Sequence, residues 1–188
     1  MINIAIFASG SGTNAENIIK HFSDNKNVNI NLVVTNNKNA FVIKRAKILG
    51  VDCKILNKAD FSNEELVLET LNNYNIDFIV LAGFLLLIPS YLVKKFPNKI
   101  INIHPALLPN YGGKGMYGMN VHNAVIENKE KESGITIHYV NEKYDDGNII
   151  FQAKCKLNEQ DTPDSLAAKI HILEQDNFPK VIENLFSK

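Results

Sequence analysis

Apolar positions along the first hundred residues change their period repeatedly, from continuous runs to helical spacing and back. Runs at 3–8, 29–35, 52–56, 77–82 and 99–104 read as strands, and the segments 14–22, 40–49, 63–73 and 89–95 between them as helices. This alternation implies a parallel sheet covered by helices on both faces. The unbroken stretch Phe78-Ile79-Val80-Leu81 is what a strand buried on both faces requires. From His104 to Gly118 the pattern dissolves into Pro, Gly and Tyr, a long glycine-bearing loop of the kind that carries function. A short helix around 120–127 follows. Then come two alternating segments, 134–141 and 148–157, joined by a turn carrying Asp145-Asp146-Gly147, which read as an antiparallel hairpin added to the sheet. The last element, 163–186, has Thr162 as N-cap and Pro163 at its first helical position, with a bend expected at Pro179. The expected fold is α/β, a Rossmann-like doubly wound, mostly parallel sheet with an antiparallel C-terminal hairpin and a long C-terminal helix. With no repeat, low-complexity tract or linker in the sequence, 1–188 is expected to form one domain.

Candidate chemistry concentrates at the end of one strand, in Lys99-Ile100-Ile101-Asn102-Ile103-His104-Pro105. Residues two apart on a strand share a face, so Asn102 and His104 present an amide and an imidazole side by side. Pro105 stops the strand because it has no N–H for the ladder. The carboxyl end of a buried strand is where α/β enzymes hold ligands. The amide can donate to a developing oxyanion, and a protonated His104 can donate a second hydrogen bond. Asp145 is the expected partner of the imidazole, a carboxylate that would raise its pKa, keep it charged and pass a proton through water. Each feature also has a purely structural explanation: Asn102 as a strand-end cap, His104 as a satisfied half-buried histidine, Asp145 and Asp146 as ordinary turn formers.

Ser9-Gly10-Ser11-Gly12-Thr13-Asn14-Ala15 lies between the first strand and the first helix. Glycines there permit positive φ and close backbone approach, and the helix start offers free N–H groups and a positive dipole end, which suit a phosphate. A dinucleotide fingerprint also requires an acidic residue at the end of the second strand, where this chain has Val34-Thr35-Asn36-Asn37. A Walker loop fails for want of Gly-Lys-Ser/Thr. A monophosphate or similar anion is the better functional reading, with a tight turn that binds nothing as its structural alternative.

Composition narrows the partners. Twenty Lys+Arg balance twenty Asp+Glu for a formal net charge of +0, so no global field attracts nucleic acid or an anionic membrane. Cys53 and Cys155 lack metal or redox spacing and read as ordinary thiols of a reducing compartment. His122 and His138 could be imagined with His104 around a metal, but no zinc-type spacing supports it, and no metal is expected. The N-terminal apolar run leads into a glycine turn and reads as a first strand rather than a signal peptide. No stretch approaches the ~18 apolar residues of a membrane span. A cytoplasmic protein, monomeric or homodimeric, is expected.

Asn102-Ile103-His104-Pro105-Ala106-Leu107-Leu108-Pro109, with Ser9-Gly10-Ser11-Gly12-Thr13-Asn14 upstream, Leu81-Ala82-Gly83-Phe84 between and Asp145-Asp146-Gly147 downstream, resembles the glycinamide ribonucleotide formyltransferases, of the folate-dependent formyltransferase family. The resemblance runs nearly end to end. The glycine turn and the chain length favour this member over methionyl-tRNA formyltransferase, which adds a C-terminal domain, and over a deformylase with a regulatory domain ahead of the module. The resemblance implies formyl transfer from 10-formyltetrahydrofolate to the amine of glycinamide ribonucleotide, with Asn102, His104 and Asp145 catalytic. It implies substrate phosphate on Gly12, Thr13 and Asn14, and Glu174 at the ribose or glycinamide end, one turn after His171. The folate is expected against Leu85, Leu86, Leu87 and Ile88, beside Asn102 and the backbone around Val140 and Asn141. On this view 1–100 is a phosphate-binding half and 101–188 a catalytic and folate-binding half. Leu86 stands where well-known members carry arginine, and Glu64 falls near another position often basic. Lys114, in the long loop, is the expected replacement charge for the folate's glutamate tail.

Overall fold

The computed structural model describes residues 1–186; Ser187 and Lys188, the end of the expected 1–188 domain, lie outside the described residues. In chain order the elements are β1 (Ile2–Phe7), α1 (Thr13–His21), β2 (Val28–Thr35), α2 (Val42–Ile48), β3 (Asp52–Ile55), α3 (Glu64–Asn73), β4 (Phe78–Leu81), α4 (Ser90–Lys95), β5 (Ile100–His104), α5 (Met119–Glu127), β6 (Glu132–Tyr139), β7 (Ile149–Lys156) and α6 (Pro163–Phe186). A single 3₁₀ turn at Asp60–Ser62, which periodicity did not reveal, precedes α3. The strands form one sheet in the order β3-β2-β1-β4-β5-β6-β7. Pairings from β3 through β5 are parallel, and β6 and β7 join antiparallel, as the sequence pattern implied.

Strand alternation sorts the core into two layers. Ile4 and Ile6 face one side with Ile18 of α1, Val121 of α5 and Phe178 of α6. Ala5 and Phe7 face the other with Val67 and Leu71 of α3 and Leu92 of α4. Phe7 is fully buried and meets Phe61 and Phe84 edge to face, a geometry that adds to simple area burial. Replacing such a ring by Ala typically costs about 3–5 kcal/mol.

This strand order creates a switch point. The chain leaves β1 toward β2 and β3, whereas it leaves β4 toward β5, so a crevice opens between the carboxyl ends of β1 and β4. Ser9 ties its rims together. Its N–H donates to Gly83 O (3.0 Å), and its hydroxyl accepts from Leu85 N–H (2.9 Å) while donating to Asn36 Oδ1 (2.5 Å).

α6 is capped as its sequence implies: Thr162 Oγ1 accepts from Ser165 N–H (3.2 Å), and Ser165 Oγ accepts from Thr162 N–H (2.9 Å). The helix continues through Pro179, which is buried. Proline cannot donate to the carbonyl four residues back, Gln175 O, and Asn17 Nδ2 of α1 takes that carbonyl instead at 2.9 Å.

Candidate active site

A cavity of about 870 Å³ occupies the switch point, lined by residues from the ends of β1, β4 and β5, the 113–118 loop, the β6–β7 turn and α6. Asn102 and His104 lie on the strand face shared with buried Ile100, while Ile101 and Ile103 point into the opposite core layer. β6 runs antiparallel beside β5 with His138 directly opposite Asn102, so the two side chains share a face. His138 Nδ1 donates to Tyr139 O (2.8 Å), and its Nε2 lies 3.1 Å from Asn102 Nδ2 and 3.6 Å from Asp145 Oδ1. The second hydrogen of that amide is aimed at Asp145 Oδ1 across a long 3.4 Å. A ligand oxygen can capture it readily.

Asp145 arrives from the β6–β7 turn with φ 52, in a conformation that Asp tolerates better than most residues. Two glycines deliver it. A Cβ on Gly147 would stand 1.7 Å from Tyr139 O, and one on Gly112 would stand 2.6 Å from Leu108 Cδ2 and 3.2 Å from Asp145 Cβ. The close approach of the 112–113 backbone lets Gly113 N–H donate to Asp145 Oδ2 (2.9 Å). Asp145 is largely buried, and Asp146 points outward to Lys143 and Asn141. Burial alone would push the Asp145 carboxyl up, but the His138 ring, the neighbouring His104 ring and the Gly113 N–H together hold it below the usual range. It is ionised at neutral pH.

His104 departs from expectation. Its Nε2 donates to Tyr111 O (2.7 Å) and its Nδ1 lies 3.5 Å from Asp145 Oδ2. The ring is 3% exposed, and this burial pushes its pKa below the usual value despite the opposing pull of Asp145 and the Tyr111 carbonyl. In the free protein the imidazole is therefore neutral with its proton on Nε2, and the expected standing cation is corrected: desolvation outweighs the carboxylate.

The glycine turn has the form an anion site requires. Gly12 caps α1 at φ 75, no side chain caps the helix, and a Cβ at Gly12 would lie 2.4 Å from Val42 Cγ2. Asn36, where a dinucleotide site would need its acid, is occupied by the Ser9 hydroxyl. Gly12, Thr13 and Asn14 line the cavity together with Glu174, whose Oε2 accepts from Asn14 Nδ2 (2.9 Å) and faces His171 Nδ1 (3.2 Å). Glu174 comes from the second half of the chain and Asn14 from the first. Two buried polar atoms in this lining, Asn14 Oδ1 and His122 Nδ1, have no partner.

Leu85, Leu86, Leu87, Ile88 and Val140 line the same cavity, whereas Asn141 does not. Asn141 spends its amide on the turn, donating to Asp146 and accepting from Lys143 N–H, and the Val140 N–H is committed to Ile100 O. Lys114 and Lys143 also line the cavity. Among the described residues, no group of three or more His, Cys, Asp or Glu side chains is placed to hold a metal ion, and no helix is long and apolar enough to cross a membrane. Sequence reasoning missed His138 as the partner of Asn102, the Tyr111 carbonyl and the Gly113 N–H. The β5–β6 register would have exposed the first; the other two are backbone groups with no signature of their own.

The formyl transferase family model matches residues 2–182. The chain is 44% identical over 174 residues to the chloroplastic phosphoribosylglycinamide formyltransferase of Arabidopsis thaliana, covering 89% of this chain and 59% of that protein. It therefore spans about three fifths of the length of this plant relative. Against the phosphoribosylglycinamide formyltransferase of Bacillus subtilis it is 35% identical over 190 residues, covering 98% of this chain and 95% of that one. The crystal structure of glycinamide ribonucleotide transformylase 1 from Geobacillus kaustophilus superposes with a TM-score of 0.90 at 32% identity, covering 100% of both chains. With the motif residues gathered around one cavity and the match running through all seven strands, the chain belongs to the formyl transferase family.

Proposed function

We propose that this protein transfers a formyl group from 10-formyltetrahydrofolate to the amine of glycinamide ribonucleotide, a step of de novo purine biosynthesis. The observation that carries the reading is one cavity shared by Asn102, His104 and Asp145 and by the uncapped helix start at Gly12. The folate supplies the formyl group on its N10. Exposed Leu85 and Leu87, beside buried Ile88, suit the flat apolar face of a pterin. Lys114 and Lys143 are the cations available for the glutamate tail. Thr13 and Asn14 offer N–H groups to the phosphate, and Glu174 and Asn14 offer hydrogen-bonding groups to the ribose or glycinamide end.

In the reaction the amine nitrogen bonds to the formyl carbon, the bond to N10 breaks, one proton leaves the amine and one reaches N10. Asn102 donates its weakly held hydrogen to the oxygen as charge develops there. The neutral His104 takes the amine proton on Nδ1. The imidazolium that results keeps its Nε2–H on the Tyr111 carbonyl, and its Nδ1–H, stabilised by the Asp145 charge 3.5 Å away, is the second donor to the oxyanion and then the proton passed to N10. His104 thus acts first as base and becomes the charged donor only during turnover. Purified protein given both substrates is expected to yield formylated nucleotide and free tetrahydrofolate in equal amounts. Rapid loss of formyl from the folate without formylated nucleotide would overturn the reading in favour of a deformylase.

A further inference from the structure

A cradle made of backbone N–H groups holds an anion only if the neighbouring carbonyls are turned away from it, and in this protein α2 does the turning. Val42 N–H takes Gly10 O at 3.2 Å, Arg45 Nε takes Ser11 O at 2.8 Å, and Val42 fills the space where a Gly12 Cβ would stand. Three successive residues of the glycine turn are thereby held by one short helix. Arg45 has a second task. Glu16, in the first turn of α1, suits the helix dipole but would repel an anion bound at that end. Arg45 Nη1 pairs with Glu16 Oε2, and Lys20 takes the other oxygen at 2.6 Å. Phe41 lies under the guanidinium, 5.0 Å from ring centroid to Cζ, and fixes its plane.

We propose that Arg45 is a positioning residue for the substrate phosphate: it holds the Ser11 carbonyl out of the cradle and cancels the Glu16 charge without touching the ligand. This rests on the reading that the glycine turn binds phosphate. A lysine ammonium offers its donors from a single nitrogen and does not reproduce the separated Nε and Nη1 of the guanidinium.

The test compares KM for glycinamide ribonucleotide with KM for its dephosphorylated nucleoside in wild type, Arg45→Ala and Arg45→Lys. Arg45→Ala is expected to raise the nucleotide KM about tenfold, roughly one hydrogen bond's worth of binding. The nucleoside KM, the formyl-donor KM and kcat are expected to stay within about twofold, a split that general loosening of the fold would not produce. Arg45→Lys is expected to fall between the two, and it alone decides the matter if the alanine variant does not fold. An unchanged nucleotide-to-nucleoside ratio in the variants overturns the role of Arg45. A wild type that does not prefer the nucleotide overturns the phosphate reading itself, and this is read from the wild type alone.

Discussion

Asp145→Asn isolates the charge that the proposed mechanism depends on. The substitution keeps the size of the side chain and an oxygen that can accept the Gly113 N–H, but it removes the carboxylate 3.5 Å from His104 Nδ1. At an effective dielectric of ~20, a unit charge pair at that distance is worth about 5 kcal/mol. Partial solvent access to Asp145 and the remaining dipoles reduce what is lost. At about 1.36 kcal/mol per tenfold in rate, kcat is expected to fall by about 10²–10⁴, the range of general acid–base catalysis. The same change removes a pull that raises the His104 pKa, so the acid limb of the rate profile moves to lower pH. Formyl transfer measured from about pH 6 to 9, with substrate dissociation constants and thermal midpoints on the same samples, reads both effects. A variant that binds both substrates normally and turns over within about tenfold of wild type would refute the reasoning, because the imidazolium would then not need its counter-charge.

Gly12→Ala must adopt φ 75 with its Cβ 2.4 Å from Val42 Cγ2; urea unfolding is expected to show a loss of about 1–3 kcal/mol, and an unchanged midpoint would contradict the packing described. Burial pushes the pKa values of His104 and His122 below the usual histidine value, so their stabilisation is complete above the unfolded-state pKa and is lost as pH falls through the folded-state values. His171, raised mainly by its bond to Glu174, acts in the opposite sense: its stabilisation is present below the unfolded value and lost as pH rises through the folded one. The His122 contribution is read by comparison: the change in urea midpoint on acidification from about pH 8 to 5 is expected to be less destabilising in His122→Asn than in wild type, and an equal change in that variant would sink the assignment. Lys114→Ala is expected to raise KM for a polyglutamylated folate more than for the monoglutamate, and equal KM values in wild type and variant would remove Lys114 from tail binding.

The fold was legible because its signals are local. Continuous apolar strands such as Phe78–Leu81, the Thr162-Pro163 start of α6 and the glycine turn after β1 each report a backbone need without reference to distant residues. The site was legible where side chains carry it: Asn102, His104, Asp145, Glu174 and the glycine turn all line the cavity. What could not be read depends on tertiary placement. His138 meets Asn102 only through the register of two strands far apart in the chain. The His104 charge state turns on how deeply the ring is buried, which the residue pair alone does not reveal.

The proline in α6 has a consequence for how the two ends of the chain are aligned. A regular helix consumes its own carbonyls and can slide along a neighbour with little penalty, since apolar contacts are not directional. At Pro179 one carbonyl is released at a fixed height, and Asn17, one turn along α1 from Asn14, takes it. The adjoining residue, Glu174, then meets Asn14 across 160 positions of sequence. An omission in one helix thus acts as an index mark for the other, setting the axial register from which the ligand-facing amide and carboxylate take their spacing.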